Sequence, residues 1–222
     1  ARYATAAWYL HSTRDGKLFF HNVQNLNAKL ESLVKAYDQT QAATELRDRL
    51  LAIFRPTDGW CYQRVLALPA ADEIELEQDK VTLVITEPRG GGGLRPELRD
   101  FYDQATLQNR VAFLTGPRDT YATLIDTGKR LRAIQSILGE MAADKTPDND
   151  PQMIQARELE EKILHGFRSA VRETFTSLWY PTGEGLLNAD LLMEFANNRY
   201  RGEEQIVKLL EEKMKFTRET GG

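Results

Sequence analysis

The stretch from Val81 to Gln104 combines an apolar strand-like run, four consecutive glycines and an amphipathic segment of helical spacing. A strand that leads through a glycine-rich loop into a helix is the arrangement of phosphate-binding loops, in which backbone amides surround the phosphates. The Walker form of that loop also needs a lysine and a serine or threonine directly after its last glycine. Here Gly93 is followed by Leu94, Arg95 and Pro96. The sequence therefore predicts a surface loop that tolerates insertions instead of a Walker site.

Two arginines flank the glycine run and are the first candidates for ligand binding. Arg89 precedes Gly90–Gly93, and Arg95 follows it. Guanidinium groups bind phosphates and carboxylates through paired, charge-assisted hydrogen bonds. We therefore expect Arg89 and Arg95 to contact an anion that another domain supplies.

The other reactive side chains form no catalytic signature. Cys61 lies between Trp60 and Tyr62, which favours a buried thiol over an activated one. Three histidines share no metal-ligand spacing, and a metal held between the two in the N-terminal hairpin would lack a third ligand. These histidines are His11, His21 and His165. We expect no metal site and no enzymatic activity of this chain.

Adjacent glutamates occur three times, and each pair lies in a segment rich in lysine and arginine. Such segments supply partners one helical turn away, so we interpret the pairs as solvated helix faces. The pairs are Glu160–Glu161, Glu203–Glu204 and Glu211–Glu212. An enzyme of unknown chemistry would need a pocket in which two of these acids or histidines converge.

Length and composition bound the class of protein. A chain of 222 residues with 41% hydrophobic residues can bury a sizeable core. Its net charge of −4 provides no general attraction to nucleic acid. The single cysteine indicates a reducing compartment, so we expect a cytoplasmic protein. No apolar run approaches the roughly 18 residues needed to cross a bilayer, so we expect no membrane contact.

The N-terminal segment predicts a β-hairpin. Apolar runs between Trp8 and His21 flank an Asp-Gly turn at Asp15, and this dipeptide between strands is a strong hairpin signal. Arg14 and Lys17 flank the turn, as basic residues do in the wing of a winged-helix domain. Arg14 and Lys17 are therefore the candidate DNA contacts.

The order of elements predicts a helix-rich mixed α/β fold. Two helices, expected to pair antiparallel, follow the hairpin and end before Pro56. Val81–Thr86 and Arg110–Thr115 are predicted strands of a small βαβ sheet, preceded by a strand in "YQRVLAL". The remainder is predicted to be helical, including one helix from Met153 to Trp179 and two further helices. We divide the chain into a hairpin with two helices (1–56), a small α/β domain (57–142) and a helical extension (143–222).

Two segments resemble a known family. "WYLHSTRDGKLFFHNVQNLNAKL" has a hairpin that ends in aromatic residues and leads to a helix rich in asparagine and leucine. "NRVAFLTGPRDTYATLIDTGKRLRAIQSIL" opens a short strand with Asn-Arg and continues into a long helix. Both are similar to the region downstream of the nucleotide-binding core in large bacterial and archaeal P-loop ATPases grouped as domain of unknown function 499. The resemblance covers Trp8 to Leu138. Its residues are Phe19, Phe20, Asn25, Leu26, Asn27, Asn109, Arg110, Val111, Phe113 and Leu114.

The resemblance implies a non-catalytic accessory or regulatory region of a large ATPase. Such ATPases are often encoded beside DNA methyltransferases and phage-defence genes. ATP and magnesium are then expected only in the parent protein. The main partner of this chain is expected to be the remainder of that parent protein, through which it would contact DNA or DNA-modification proteins. Asn109, Arg110 and the Gly90–Gly93 loop are candidates for communication with a nucleotide bound elsewhere. The segment from Arg89 to Leu94 departs from the family pattern.

Two expectations concern the status of the chain. An opening at Ala1 that leads at once into a strand-like segment suggests a piece of a longer protein, although removal of an initiator methionine would look the same. The alternative function is a stand-alone protein-binding module that uses the long C-terminal helix. That alternative predicts an exposed apolar patch of several hundred Å2 on the helix.

Overall fold

The computed structural model describes residues 8–12, 18–22, 26–194 and 201–213, the first two ranges by their backbone. The described residues have the helix-rich mixed α/β fold that the sequence predicts. The strands are β1 (Trp8–Ser12), β2 (Leu18–Asn22), β3 (Arg64–Ala67), β4 (Thr82–Ile85), β5 (Val111–Thr115), β6 (Ser177–Thr182) and β7 (Gly185–Asp190). The helices are α1 (Leu26–Ala36), α2 (Gln39–Phe54), α3 (Pro96–Gln104), α4 (Tyr121–Ala143), α5 (Pro151–Thr174) and α6 (Gly202–Glu212).

A five-stranded sheet in the order β3-β4-β5-β6-β7 organises the fold. Strands β3, β4 and β5 are parallel, and β6 and β7 continue the sheet in antiparallel fashion. The segment β4-α3-β5 is the predicted βαβ unit, with Leu83 opposite Ala112. All four residues of β4 are buried, which explains why its sequence is a continuous apolar run.

Helices cover both faces of this sheet. On one face, Leu98 of α3 belongs to the same apolar cluster as Phe113 of β5. On the other face, Leu83 and Leu114 join a larger cluster with buried residues of α1, α2, α4, α5 and α6. Among the described residues, no helix is both long and apolar enough to cross a membrane.

The N-terminal hairpin is confirmed at the level of the backbone. Strands β1 and β2 pair antiparallel, with His11 opposite Phe19 and Tyr9 opposite His21. The register therefore places the two histidines of the hairpin opposite other residues instead of opposite each other. The turn between the strands, with Arg14 and Lys17, lies outside the described residues.

The predicted pairing of α1 with α2 is wrong, because both helices pack chiefly on α4. Asp38 caps α2 by accepting a hydrogen bond from the Gln41 amide at 2.7 Å, and only Tyr37 and Asp38 separate the two helices. Contacts from α4 hold this connection: Lys129 Nζ donates to the Tyr37 carbonyl at 3.2 Å. Both helices therefore rest on α4 instead of on each other.

The predicted helix from Met153 to Trp179 is also wrong in its last turn. Helix α5 ends at Thr174, and Ser177–Thr182 forms β6. Leu178 stands at helical spacing from Phe175 and at the two-residue spacing of a strand from Tyr180. Leu178 and Tyr180 are buried on one face of β6. The first of the two further helices is predicted from Leu191, Leu192 and Phe195. Residues 191–194 are not helical, and Phe195 lies outside the described residues.

A tight corner joins α5 to β6. Adding a β-carbon to Gly116, the residue after β5, would place it well inside contact distance of the Thr174 carbonyl oxygen. The Thr120 and Thr174 hydroxyls are hydrogen-bonded at 2.8 Å, and the Leu191 amide donates to the Thr176 carbonyl at 2.7 Å. Glycine at position 116 therefore allows β6 to enter the sheet beside β5.

We expect Gly116→Ala to destabilise the protein by about 3 kcal/mol or more, because the added methyl group meets backbone that cannot move without breaking the corner. The control is Gly139→Ala in α4, where no atom lies within 4 Å of the added β-carbon. That exposed helical change should stabilise by about 0.5–1 kcal/mol. Denaturant unfolding measures both, and equal stabilities of the Gly116→Ala variant and the parent chain would contradict the close approach.

Candidate functional site

An open cleft lies at the carboxyl end of the parallel strands, where the loops after β4 and β5 meet. Ligands of open α/β sheets commonly bind at this edge. The cleft has a volume of about 420 Å3. We call it the arginine cleft; its lining residues are Glu87, Pro88, Arg89, Gly90, Arg95, Pro96, Glu97 and Arg118.

Ion pairs fix two of the three arginines in the cleft. Arg118 donates to Glu87 at 2.6 Å and to the Pro88 carbonyl at 3.0 Å. Arg95 donates to Glu97 at 2.6 Å. The pKa of the Glu97 carboxyl is lowered first by a hydrogen bond from the backbone amide of Glu97 and then by this contact with Arg95. Arg89 is exposed, and its guanidinium has no hydrogen-bond partner among the described residues. The cleft therefore contains two fixed cations and one that is free to bind.

The glycine loop forms part of this cleft, and its backbone conformation requires glycine residues. Gly91, Gly92 and Gly93 have φ angles of 88°, 78° and 77°, a region that favours glycine. The Gly92 amide donates to the Arg89 carbonyl at 3.1 Å, which closes a turn. Pro96 occupies the first turn of α3, where its missing amide is tolerated. No lysine is among the residues that line the cleft.

The other two candidates, Asn109 and Arg110, lie at the opposite end of β5. They line a cavity of about 380 Å3 between the amino ends of β4 and β5 and helix α6. The structure therefore brings Arg89 together with Arg95 but separates both from Asn109 and Arg110. We call this space the α6 cavity. Its further lining residues are Trp60, Cys61, Tyr62, Gln63, Asp79, Val81, Leu83, Ala112, Tyr180, Pro181, Ile206 and Leu210.

A buried carboxylate holds the wall of the α6 cavity. Glu203, in the first turn of α6, is only 3% exposed, so its interpretation as part of a solvated face is wrong. Its carboxylate accepts hydrogen bonds from the Thr57 amide and hydroxyl, from the Asp58 amide at 3.1 Å and from the Trp60 amide at 3.3 Å. Burial opposes ionisation, but these hydrogen bonds outweigh it and lower the pKa of Glu203 below its ordinary 4.5. We call this contact the Glu203 clasp.

Two neighbours complete the clasp. A β-carbon on Gly202 would overlap the Phe54 ring, so α6 approaches α2 as closely as only glycine permits. Cys61, in the loop that follows the clasp, is a free thiol. Burial, followed by the charge of Glu203, raises the pKa of Cys61 to about 12. This thiol therefore stays protonated at neutral pH and is a poor nucleophile.

Acidic side chains line two further pockets. A pocket of about 260 Å3 between α4 and α5 contains Glu160, Glu161 and Arg157. Arg157 pairs with Asp148 at 2.6 Å, and Glu160 accepts from Gln135 at 3.1 Å. The pocket beside the Glu203 clasp, about 300 Å3, adds the exposed Glu204. Neither lining includes a histidine, serine or cysteine, so neither pocket indicates a particular reaction.

The remaining candidates bring no further site together. His165 is exposed on α5. Among the described residues, no three or more histidine, cysteine, aspartate or glutamate side chains are placed to hold a metal ion. Sequence reasoning missed Arg118 and Glu203, because the groups that they contact are 31 and 146 residues away.

No protein-family model, no curated protein and no solved structure matches this chain.

We expect Glu203→Gln to destabilise the protein by about 2–3 kcal/mol, because a neutral amide replaces a charged acceptor of several hydrogen bonds. The control, Glu204→Gln, removes an exposed charge that pairs with Arg201 on the surface and should change stability by less than about 1 kcal/mol. Urea unfolding at neutral pH compares the two variants. Equal losses in both would contradict a special role of Glu203.

The same carboxylate predicts a pH dependence. Because the pKa of Glu203 is lower in the folded state than its ordinary 4.5, its stabilising contribution is complete above pH 4.5 and is lost as the pH falls through the folded-state pKa. The difference in unfolding free energy between the parent chain and Glu203→Gln should therefore shrink as the pH falls below 4.5. A difference that stays constant on acidification would show that the charge is not what stabilises the clasp.

Proposed function

We propose that this chain is a non-catalytic accessory or regulatory region of a large P-loop ATPase, in a DNA-modification or phage-defence system. The observation that carries the proposal is the arginine cleft: Arg89, Arg95 and Arg118 lie beside a glycine loop, at the edge of a parallel sheet, without Walker residues. The resemblance around Phe19–Asn27 and Asn109–Leu114 supports the same assignment. The free thiol of Cys61 is compatible with the cytoplasmic location that we propose.

The charges of the cleft suit an anion presented from outside. Three arginines and two glutamates line it, so one positive charge is left uncompensated. That charge fits the exposed Arg89, whose guanidinium has no partner among the described residues. Arginines supplied by a neighbouring domain or protein stabilise the charge that develops on a transferred phosphoryl group. We assign this contact to Arg89 and Arg95, with ATP and magnesium bound by the remainder of the parent protein.

The stand-alone binding module has less support. Helix α5 buries its apolar stripe, including Ile163, Phe167 and Val171, in the main core. Ile154 is the one large apolar residue of α5 that is strongly exposed among the described residues. The extended apolar patch that this alternative needs is therefore not formed by α5 in the described part of the chain.

DNA contact by the hairpin stays a prediction. Replacing Arg14 and Lys17 by alanine should lower the affinity for duplex DNA in a titration at low salt, where phosphate contacts are strongest. Unchanged affinity, or no measurable affinity of the parent chain, would remove this contact from the proposal.

We expect the purified chain to bind inorganic tripolyphosphate, and Arg89→Ala/Arg95→Ala to weaken that binding about tenfold or more, because each lost charged hydrogen bond costs about 1.5–3 kcal/mol. Calorimetric titration measures the affinity. The control Arg55→Gln/Lys162→Gln removes two charges outside the cleft and should bind like the parent chain. Equal affinity of both double variants would contradict the cleft as the anion site.

A second experiment tests the accessory role itself. The native reading frame should extend upstream of Ala1 and contain G-x-x-x-x-G-K-[ST] after a predicted strand. In that parent protein, Arg89→Ala should lower the rate of ATP hydrolysis while nucleotide binding is kept. A reading frame without that motif, or hydrolysis of ATP at enzymatic rates by the purified chain alone, would contradict the proposal.

A further inference from the structure

We propose that two buried threonine hydroxyls, those of Thr86 and Thr115, complete the arginine cleft as a phosphate site. This inference rests on the proposed function of the cleft, to which it adds two groups that bind the phosphate. Thr86 directly precedes Glu87, which lines the cleft. Thr115 is three residues before Arg118, which lines it as well. Both threonines therefore lie at the sheet edge from which the cleft opens.

The two threonines lie side by side on neighbouring parallel strands. Ile85 is opposite Leu114 in the ladder between β4 and β5. The Thr86 amide donates to the Leu114 carbonyl at 2.9 Å, which continues the ladder and places Thr86 opposite Thr115. Neighbouring strands are about 4.8 Å apart. One phosphate group is therefore large enough to accept hydrogen bonds from both hydroxyls.

Both side chains are on the face of the sheet that α3 covers. Residues two positions apart in a strand share a face, so Thr86 shares the face of Val84 and Thr115 that of Phe113. Val84 and Phe113 belong to the apolar cluster that includes Leu98 of α3. The start of α3 therefore lies over the two hydroxyls, and the same start of α3 lines the cleft.

The hydroxyls of Thr86 and Thr115 are buried without a partner. Each residue is 1% exposed, and neither hydroxyl has a hydrogen-bond partner among the described residues. An unpaired buried hydroxyl destabilises a fold, whereas valine fills almost the same space without that cost. Thr82 is buried in the same way on the same face, but it lies at the amino end of β4. Position beside the cleft therefore distinguishes Thr86 and Thr115, and Thr82 provides a matched control.

The donors around the cleft suit a tetrahedral phosphate. Arg89 and Arg95 approach from the glycine loop and the start of α3, and the threonines approach from the ends of the strands. Helix α3 begins at Pro96 in the cleft lining, so the positive end of its dipole also faces the cleft. Phosphate oxygens accept hydrogen bonds from several directions at once, which matches donors placed on different sides.

The glycine run allows α3 to uncover the hydroxyls. A β-carbon added at any position of Gly90–Gly93 would meet no atom within 4 Å, so this run is not packed against the other described residues. Only Leu98 and Tyr102 of α3 are buried. We expect phosphate binding to shift the start of α3 away from β4 and β5, since the hydroxyls then exchange an unpaired state for charged hydrogen bonds.

The test combines calorimetric titration with tripolyphosphate and thermal unfolding of the same variants. Thr86→Val/Thr115→Val should bind tripolyphosphate about tenfold more weakly or worse, because two hydrogen bonds to a charged group are lost. Its unfolding midpoint should rise by about 2–4 °C or more, because two unpaired buried hydroxyls are removed. Thr82→Val should also unfold at a higher temperature but should bind tripolyphosphate like the parent chain. A gain in stability with a loss of affinity is specific to a ligand-binding role.

Two further measurements make the result independent of the folding of one variant. Thr86→Ser/Thr115→Ser keeps both hydroxyls and should bind tripolyphosphate like the parent chain. In the parent chain, tripolyphosphate should shift the NMR signals of the Thr86 and Thr115 methyl groups and leave that of Thr82 unchanged.

The outcomes separate this inference from the proposed function of the cleft. If Arg89→Ala/Arg95→Ala weakens tripolyphosphate binding but Thr86→Val/Thr115→Val does not, the cleft binds anions without the threonines and the inference is overturned. Unshifted methyl signals of Thr86 and Thr115 in the presence of bound tripolyphosphate would overturn it as well. If the parent chain binds no tripolyphosphate, the anion site and this inference both fall.

Discussion

The contact between Gly116 and the corner at Thr174–Thr176 is the constraint on which the rest of the fold depends. A parallel βαβ unit followed by two long helices would form an open layer, and only the return of the chain as β6 closes it against β5. That return requires the α5 backbone to come closer to the end of β5 than any side chain at position 116 would permit. Once β6 is in place, it adds Tyr180 to the wall of the α6 cavity. The corner therefore links the packing of α4 and α5 to the wall of a cavity at the far end of the sheet.

The direction of the parallel strands gives the protein two chemically different ends. At the carboxyl end, turns of polar residues and glycines carry arginines that face open solvent, which suits recognition of a charged group on another molecule. At the amino end, the α6 cavity lies between the strands and α6, and its lining contains one arginine, Arg110, and one carboxylate, Asp79. The same strand, β5, connects Arg110 at one end with the loop of Arg118 at the other.

The sequence predicts those parts of the fold that local chemistry determines. The apolar runs of β4 and β5 and the Asp-Gly turn of the hairpin have local signals, as does Pro96 at the start of α3. Prediction from the sequence fails where a contact with a residue far along the chain determines the local structure. Leu178 fits a helical stripe with Phe175 and a strand pattern with Tyr180 equally well, and only the space beside β5 selects the strand. Glu203 resembles a solvated glutamate until the loop at residues 57–60 folds over it. Arg89 and Arg95 could be identified from sequence because they flank the glycines, whereas no neighbouring sequence feature identified Arg118. The family resemblance selected Asn109 and Arg110, but it could not show that these two residues line a different cavity.

The central proposal is that the arginine cleft, at the carboxyl end of the parallel strands, binds an anion presented from outside. The most direct measurement is a titration of the isotope-labelled chain with tripolyphosphate, followed by amide chemical shifts in two-dimensional NMR. The account predicts that tripolyphosphate shifts the amides of Gly90–Gly93 and Arg118 and leaves those of Trp60–Gln63 and Asn109–Ala112, at the other end of the strands, unchanged. If no amide shifts, or if the shifts are confined to the other end of the strands, the account is wrong.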